Sequence, residues 1–393
     1  MIDGNSLTQS RRDAEKPWPM VKLGDVCDEI RERIRSDQIA LENYIATDNM
    51  IKGCGGVCLA ESKPCNVGLV SYKAGDVLLS NIRPYLKKVW CSDRNGGCSS
   101  DVIVIRSKTK TILSEYVYRA LSQDEFFAYV MKNVSGTKMP RGKRSWIKDF
   151  TFPLPPLSIQ QSIVARLDKG LAEVDQLKAN FESIAKKADE NFKATLAETF
   201  DNIQGEKVRL GDVATLKGGY AFQKSKYVKT GIQIVRISDL DGESISSENA
   251  AYYKPDSALS DFIIHNNCIL ICLTGSIGKM ALVKDDKTRY LNQRVGMLRS
   301  SDDLSLLYVW YYLHTSEVIE AWNKNKTSVN GNLRNSDILD LTIPLPPLSV
   351  QQEVVAKLEV EKSRCEAVKS QAEKGIRACE GLRSALLREA FEQ

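Results

Sequence analysis

Five cations, Lys132, Lys138, Arg141, Lys143 and Arg144, share one stretch of chain without an acid, and Arg83, Tyr85, Lys87 and Lys88 form a second basic group with an aromatic ring among them. Lysine and arginine neutralise phosphates, and an arginine fork also fits the O6 and N7 acceptors of guanine. The second half of the chain offers Lys217, Lys224, Lys226, Lys279, Asn292, Gln293, Arg294, Asn330, Asn332 and Arg334, where the amides add an edge that pairs with adenine. The pattern suits contact with nucleic acid and equally a solvated basic surface, since phosphate contacts and idle surface look alike in sequence. Only His265 and His314 are available for general-base work by imidazole. Thr274-Gly275-Ser276-Ile277-Gly278-Lys279 ends like a phosphate-binding loop, but Leu273 stands where the first glycine belongs and Met280 replaces Ser or Thr. Cys54, Cys58, Cys65, Cys91 and Cys98 lack the paired rhythm of a zinc site. No catalytic residue, cofactor site or metal site is expected in this chain.

Those side chains need a frame, and a repeat supplies it. FPLPPLSIQQSIVARL at 152–167 returns as IPLPPLSVQQEVVAKL at 343–358, and VKLGDV at Val21 returns as VRLGDV at Val208. A period near 190 residues is a duplicated domain, not a solenoid. A chain of 393 residues exceeds one hydrophobic core, which fits two lobes. The net charge of +5 is slight and excludes nothing by itself. Within each lobe, short apolar runs such as 76–80 and 101–105, or 268–272 and 295–298, read as strands. An aromatic helical stretch follows at 115–131 and again at 306–322. Buried cysteines such as Cys268 and Cys272 suit reduced thiols.

The proline blocks at 153–156 and 344–347 end the lobes, since proline fixes φ and lacks a donor. Ser158 and Ser349, each followed three residues later by Gln161 or Gln352, read as capping boxes opening long helices. Ile163, Leu167, Leu171, Val174, Leu177, Phe181, Ile184, Ala188, Phe192, Leu196 and Phe200 form one apolar seam; Val354, Leu358, Cys365, Val368, Ala372, Ile376, Cys379, Leu382 and Leu386 form the other. Equal length and charged flanks predict that the two helices pair antiparallel as an intramolecular coiled coil. The expected fold class is α+β: two α/β lobes at 18–157 and 204–348, helical regions at 158–203 and 349–393, and a flexible tail at 1–17. No long apolar run is present and the start is polar, so a cytoplasmic protein is expected.

This layout of lobe, PLPPLSxQQ exit and long helix, given twice, resembles the specificity subunit of Type I restriction-modification enzymes over nearly the whole chain. Segments 75–85, 136–141 and 273–279 resemble stretches of that family's target-recognition domains. The second copy departs at 327–334, so roles in one loop do not transfer to the other. The resemblance implies a non-catalytic subunit in which each lobe reads half of an asymmetric, bipartite DNA site. It implies that the helices fix the spacer and dock two copies of the methyltransferase subunit, with Arg166, Lys169, Lys357 and Lys362 as the expected docking cations. S-adenosylmethionine, ATP and magnesium would be bound by the partners: an adenine-N6 methyltransferase and, for restriction, a translocating nuclease subunit. A related Type IIB-like system and a scaffold without sequence selectivity are the competing readings.

Overall fold

The computed structural model describes residues 18–275, 278–324 and 332–392. They divide into two compact units, residues 18–181 with 374–392 and residues 182–373. The first unit contains strands β1 (Met20–Lys22), β2 (Cys27–Ile30), β3 (Arg33–Arg35), β4 (Tyr44–Ile45), β5 (Gly68–Tyr72), β6 (Val77–Ser80), β7 (Val89–Cys91), β8 (Gly96–Cys98), β9 (Val102–Ser107), β10 (Val134–Ser135), β11 (Arg141–Gly142) and β12 (Thr151–Pro153). Its helices are α1 (Leu23–Val26), α2 (Ser114–Leu121), α3 (Asp124–Met131), α4 (Arg144–Lys148) and the start of α5 (Leu157–Asp201). The second contains β13 (Glu206–Arg209), β14 (Ala214–Gly218), β15 (Ile232–Val235), β16 (Ala251–Tyr253), β17 (Ile263–Ile264), β18 (Cys268–Cys272), β19 (Met280–Val283), β20 (Arg289–Leu291), β21 (Val295–Ser300) and β22 (Thr342–Leu345), with α6 (Leu210–Val213), α7 (Leu306–Leu313), α8 (Ser316–Lys324), α9 (Asn335–Leu339) and most of α10 (Leu348–Phe391).

Each unit has a four-stranded antiparallel sheet of one design, β2-β9-β6-β7 and β14-β21-β18-β19. Its central strands are apolar without alternation because both faces are covered. Val77, Leu79, Ile103 and Ile105 face the helices, while Leu78, Val102 and Val104 face the second sheet. The same two-residue period sorts Ile269, Ile271 and Leu298 from Cys268, Leu270, Cys272, Val295 and Met297. The second sheets are β3-β5-β8-β4 and β16-β15-β20-β17. In both, a central strand has one parallel and one antiparallel neighbour. The fourth strand joins the antiparallel neighbour in the first unit and the parallel neighbour in the second.

The repeated VxLGDV segment closes each lobe by pairing with the strand before the proline block, β1 with β12 and β13 with β22. The Leu23 N–H donates to the Phe150 carbonyl at 2.8 Å, and Leu210 to Leu341 at 2.7 Å. The expected capping boxes do not form. The helices begin at Leu157 and Leu348, with the first amides donating to the Pro156 and Pro347 carbonyls, so Ser158 and Ser349 already lie inside the first turn. It is the first glutamine of each pair, not the second, that is used. Gln160 is fully buried, accepts from the Leu113 N–H at 2.9 Å and donates to the Thr111 and Pro155 carbonyls. Gln351 repeats this with Ser305, Asp303 and Pro346. Tyr116 and Tyr308 add matching hydroxyl bonds to the Pro153 and Pro344 carbonyls.

The helical stretches at 115–131 and 306–322 each prove to be two helices. They break at Ser122 and at His314–Thr315, where the Ser122 and Thr315 hydroxyls return to carbonyls of the preceding turn.

Within each unit α5 and α10 run antiparallel. In the first, Arg383 pairs with Asp175 at 2.8 Å and Lys178 with Glu380 at 3.1 Å; in the second, Lys369 pairs with Asp189 at 2.9 Å. Gly375 admits the Phe181 ring, whose nearest atom lies 2.5 Å from where a Cβ would stand. Ile163, Leu167, Leu171 and Val174 are buried, each burial contributing about 1.5–3 kcal/mol. The single continuous seam was too generous, because Leu177, Ile184, Val368 and Leu382 are 42–46% exposed. A straight helix drifts about 20° per heptad against a strict repeat, so a stripe this long winds off its partner.

Candidate nucleic-acid interface

In the first unit three loops meet just past β6. The Asn81 N–H donates to the Asp101 carbonyl at 2.8 Å, the Gly142 N–H to the Asn81 carbonyl at 3.2 Å, and the Arg83 N–H to the Pro140 carbonyl at 2.7 Å, while Ile82 bridges to Arg141. Gly142 is required there, since a Cβ would stand 2.8 Å from Val130 Cγ1. Arg83 adopts a left-handed backbone at φ 50°, a conformation that costs a side-chain-bearing residue energy and is held by these bonds and by Pro84. The junction turns Arg83 and Tyr85 outward. With Lys132, Lys138 and Lys143, they are exposed and make no side-chain hydrogen bond or ion pair among the described residues.

The other four residues of the first group are committed to the protein. Arg141 pairs with Asp101 at 3.3 Å. Arg144 binds the carboxylate of Glu29 and the Ser100 carbonyl. Lys87 binds Asp124 at 2.6 Å, and Lys88 donates to the Thr47 carbonyl at 2.6 Å. Burial alone would raise the Glu29 pKa, but Arg31, Arg144 and Lys148 hold it below the usual range. Asp124 behaves alike, with Lys87 and the Ser384 hydroxyl overcoming its burial.

The second unit builds the same junction past β18. The Leu273 N–H donates to the Arg294 carbonyl at 3.0 Å, the Leu333 N–H to the Leu273 carbonyl at 2.8 Å, and Thr274 bridges to Asn332. This pattern aligns Asn81 with Leu273 and Arg141 with Asn332, a correspondence hidden by the divergent loop sequences. Gln293, Arg294, Asn332 and Arg334 are exposed around it, and Lys279 is half-buried. Asn292 is half-buried, its Oδ1 accepting from the Arg294 N–H at 3.2 Å. Asn330 lies outside the described residues.

Tyr220, absent from the sequence reading, bridges to Asn292 and is 39% exposed, at the edge of an aromatic group with Phe222 and Phe262. Its signal was the Gly-Gly-Tyr turn: the Gly219 backbone approaches Asn292 too closely for a Cβ. Lys217 lies 5.8 Å over the Phe262 ring and 3.9 Å from Asp261. Lys224 and Lys226 are exposed on a separate turn.

On the helices Arg166, Lys169 and Lys357 are exposed, whereas Lys362 is half-buried and paired with Glu243 at 2.8 Å. Lys362 therefore fastens its own lobe rather than facing outward. His314 Nδ1 is 2.7 Å from the Trp310 carbonyl, and burial lowers its pKa. No helix among the described residues is long and apolar enough to cross a membrane.

Residues 15–180 and 202–374 both match the model of the Type I restriction modification DNA specificity domain. The chain is 23% identical to the Type I restriction enzyme EcoBI specificity subunit of Escherichia coli over 344 residues, 77% of this chain and 70% of that protein. It is 26% identical to the EcoDI specificity subunit of the same species over 205 residues, half of this chain and 45% of that one. Among solved structures it resembles a chain of a type I R-M system described for its complex assembly and conformational transition, with a TM-score of 0.79 at 21% identity, covering 96% of this chain and 98% of that one. It also resembles the HsdS subunit from Thermoanaerobacter tengcongensis, with a TM-score of 0.53 at 22% identity, covering 96% and 97%.

Proposed function

Because the chain belongs to the family of the Type I restriction modification DNA specificity domain, with two copies of that domain, we propose that each copy reads one half of a split, asymmetric DNA sequence through the loops gathered past β6 and past β18. The chain is a specificity subunit and performs no chemistry itself. Its partners are DNA and the other subunits of a Type I complex. Two methyltransferase subunits dock on the faces of α5 and α10 that carry Arg166, Lys169 and Lys357, and they transfer the methyl group of S-adenosylmethionine to an adenine N6. ATP and magnesium belong to a nuclease subunit that joins for restriction. The observation that carries this reading is the junction itself: one backbone scaffold, built twice, presents different unpaired cations and amides in its two copies. Shared scaffold with unshared side chains is what an asymmetric target demands.

Exchanging residues 18–157 for the matching lobe of a relative and mapping methylated sites tests it. One half-site changes and the other stays; a change in both halves, or in neither, refutes the assignment. The helices set the unread spacer, so a heptad added to each at matched positions, about 10 Å of helix, lengthens it by roughly three base pairs. An unchanged spacer refutes the ruler.

A further inference from the structure

Asn81 sits at the centre of the first junction with 9% of its surface exposed, and its Oδ1 is enclosed without a hydrogen-bond donor. Its Nδ2 has no acceptor among the described residues either. Both backbone groups of Asn81 are used, donating to Asp101 and accepting from Gly142, so the amide alone is left over. An enclosed carbonyl without a partner destabilises the free protein. The fold does not require it: Leu273 occupies the same register in the second unit, equally buried, packed towards Gly296. On the loops joined at this junction stand Arg83 and Lys143, exposed and unpaired, and Arg141, paired with Asp101. The χ2 torsion of asparagine is broad, so a modest rotation brings the enclosed Oδ1 to the surface beside Nδ2.

We infer that Asn81 is a specificity-determining residue of the first recognition domain, its carboxamide pairing with the N6 and N7 edge of one adenine in that half-site. The inference rests on the proposed reading of DNA by this lobe. The pairing completes both orphaned atoms at once, since adenine offers one donor and one acceptor at the spacing of an amide. The surrounding cations bring the backbone in and hold the register, and the second domain has no counterpart of this contact because a leucine fills the position.

The test uses the full chain assembled with its methyltransferase, selecting from a duplex library randomised across both half-sites and sequencing what is bound. Asn81→Ala lowers the preference at one A·T pair of the first half-site by roughly 5- to 150-fold, the worth of one bidentate contact. Other positions and the second half-site keep theirs. Asn81→Asp, an acceptor only, moves the preference at that same pair from adenine to the cytosine N4 donor. Unchanged adenine selection by both variants, or a uniform loss at every position, overturns the inference while leaving the two-domain reading intact. A wild-type complex that selects no sequence sinks that reading, and the inference with it.

Discussion

In the first unit Glu29 gathers Arg31, Arg144 and Lys148, and Asn81 fills the junction past β6; the second unit places Leu216 and Leu273 at the corresponding sheet positions. Gly296 makes this possible, for a Cβ there would stand 2.9 Å from Leu216 and 3.3 Å from Leu273, where the first unit carries Ile103. One lobe thus holds its loops by charge and leaves an amide unpaired, whereas the other holds them by apolar packing. Where a lobe meets its helices the two agree residue for residue: glutamine clamp, tyrosine hydroxyl and closing strand pair. The difference teaches that attachment and recognition occupy separate parts of the same small fold, so one can vary without loosening the other.

The glutamine clamps give the strongest way to break the comparison. Each makes three bonds from a fully buried side chain, and replacement by alanine strands an amide and two carbonyls. At about 1 kcal/mol per bond, Gln160→Ala and Gln351→Ala each cost about 3 kcal/mol, read from denaturant unfolding of the chain. Costs that differ more than twofold between the two units would show that the clamps are alike in geometry only. Gln161→Ala and Gln352→Ala, on exposed positions, change stability by less than about 0.5 kcal/mol.

Tyr116→Phe and Tyr308→Phe sharpen the same point at smaller size. Each removes a single buried hydroxyl bond, at 2.7 and 2.9 Å, while keeping the ring. The expected loss is about 1 kcal/mol in each unit. A larger loss at Tyr308 would mean that its aromatic contact with Phe200 shifts when the hydroxyl goes.

How far the sequence led follows from the same division. The repeat, the lobes and the long helices were legible because proline blocks and apolar periodicity are local signals. Gln160 was passed over for Gln161 because a capping box is defined by spacing from Ser158, and the helix starts two residues earlier than that spacing assumes. The opposite edges taken by β3 and β16 were not legible, since pairing partners are set by contacts distant in sequence. Lys87, Lys88 and Arg144 looked like free cations because Asp124, Thr47 and Glu29 lie far from them along the chain. Asn81 was skipped for the same reason: only the register of Asn81 with Leu273 makes its amide conspicuous.

Binding separates the committed cations from the free ones. Lys138→Ala and Lys143→Ala each reduce the slope of log affinity against log salt by about 0.9, the release of one counterion. Lys88→Ala leaves the slope unchanged, because its ammonium is held by the Thr47 carbonyl. Equal slopes for all three would erase the distinction.

The smallest effect concerns acid. The Glu29 pKa is held below the usual range, so the folded state binds the Glu29 proton less readily than the unfolded chain does. Its contribution is therefore complete above the ordinary glutamate value, about 4.3, and is lost as the pH falls through the depressed value. Arg31, Arg144 and Lys148 are partly exposed, which limits the contribution to about 1 kcal/mol or less. Thermal midpoints of the parent and of Glu29→Gln should differ by a constant amount at pH 6 and above and converge below pH 4. Leu216→Ala, the matching change in the second unit, should shift the midpoint by the same amount at every pH. A Glu29→Gln difference that persists undiminished below pH 4 would assign the residue a packing role, and the contrast between a charged and an apolar lobe would fail at that register.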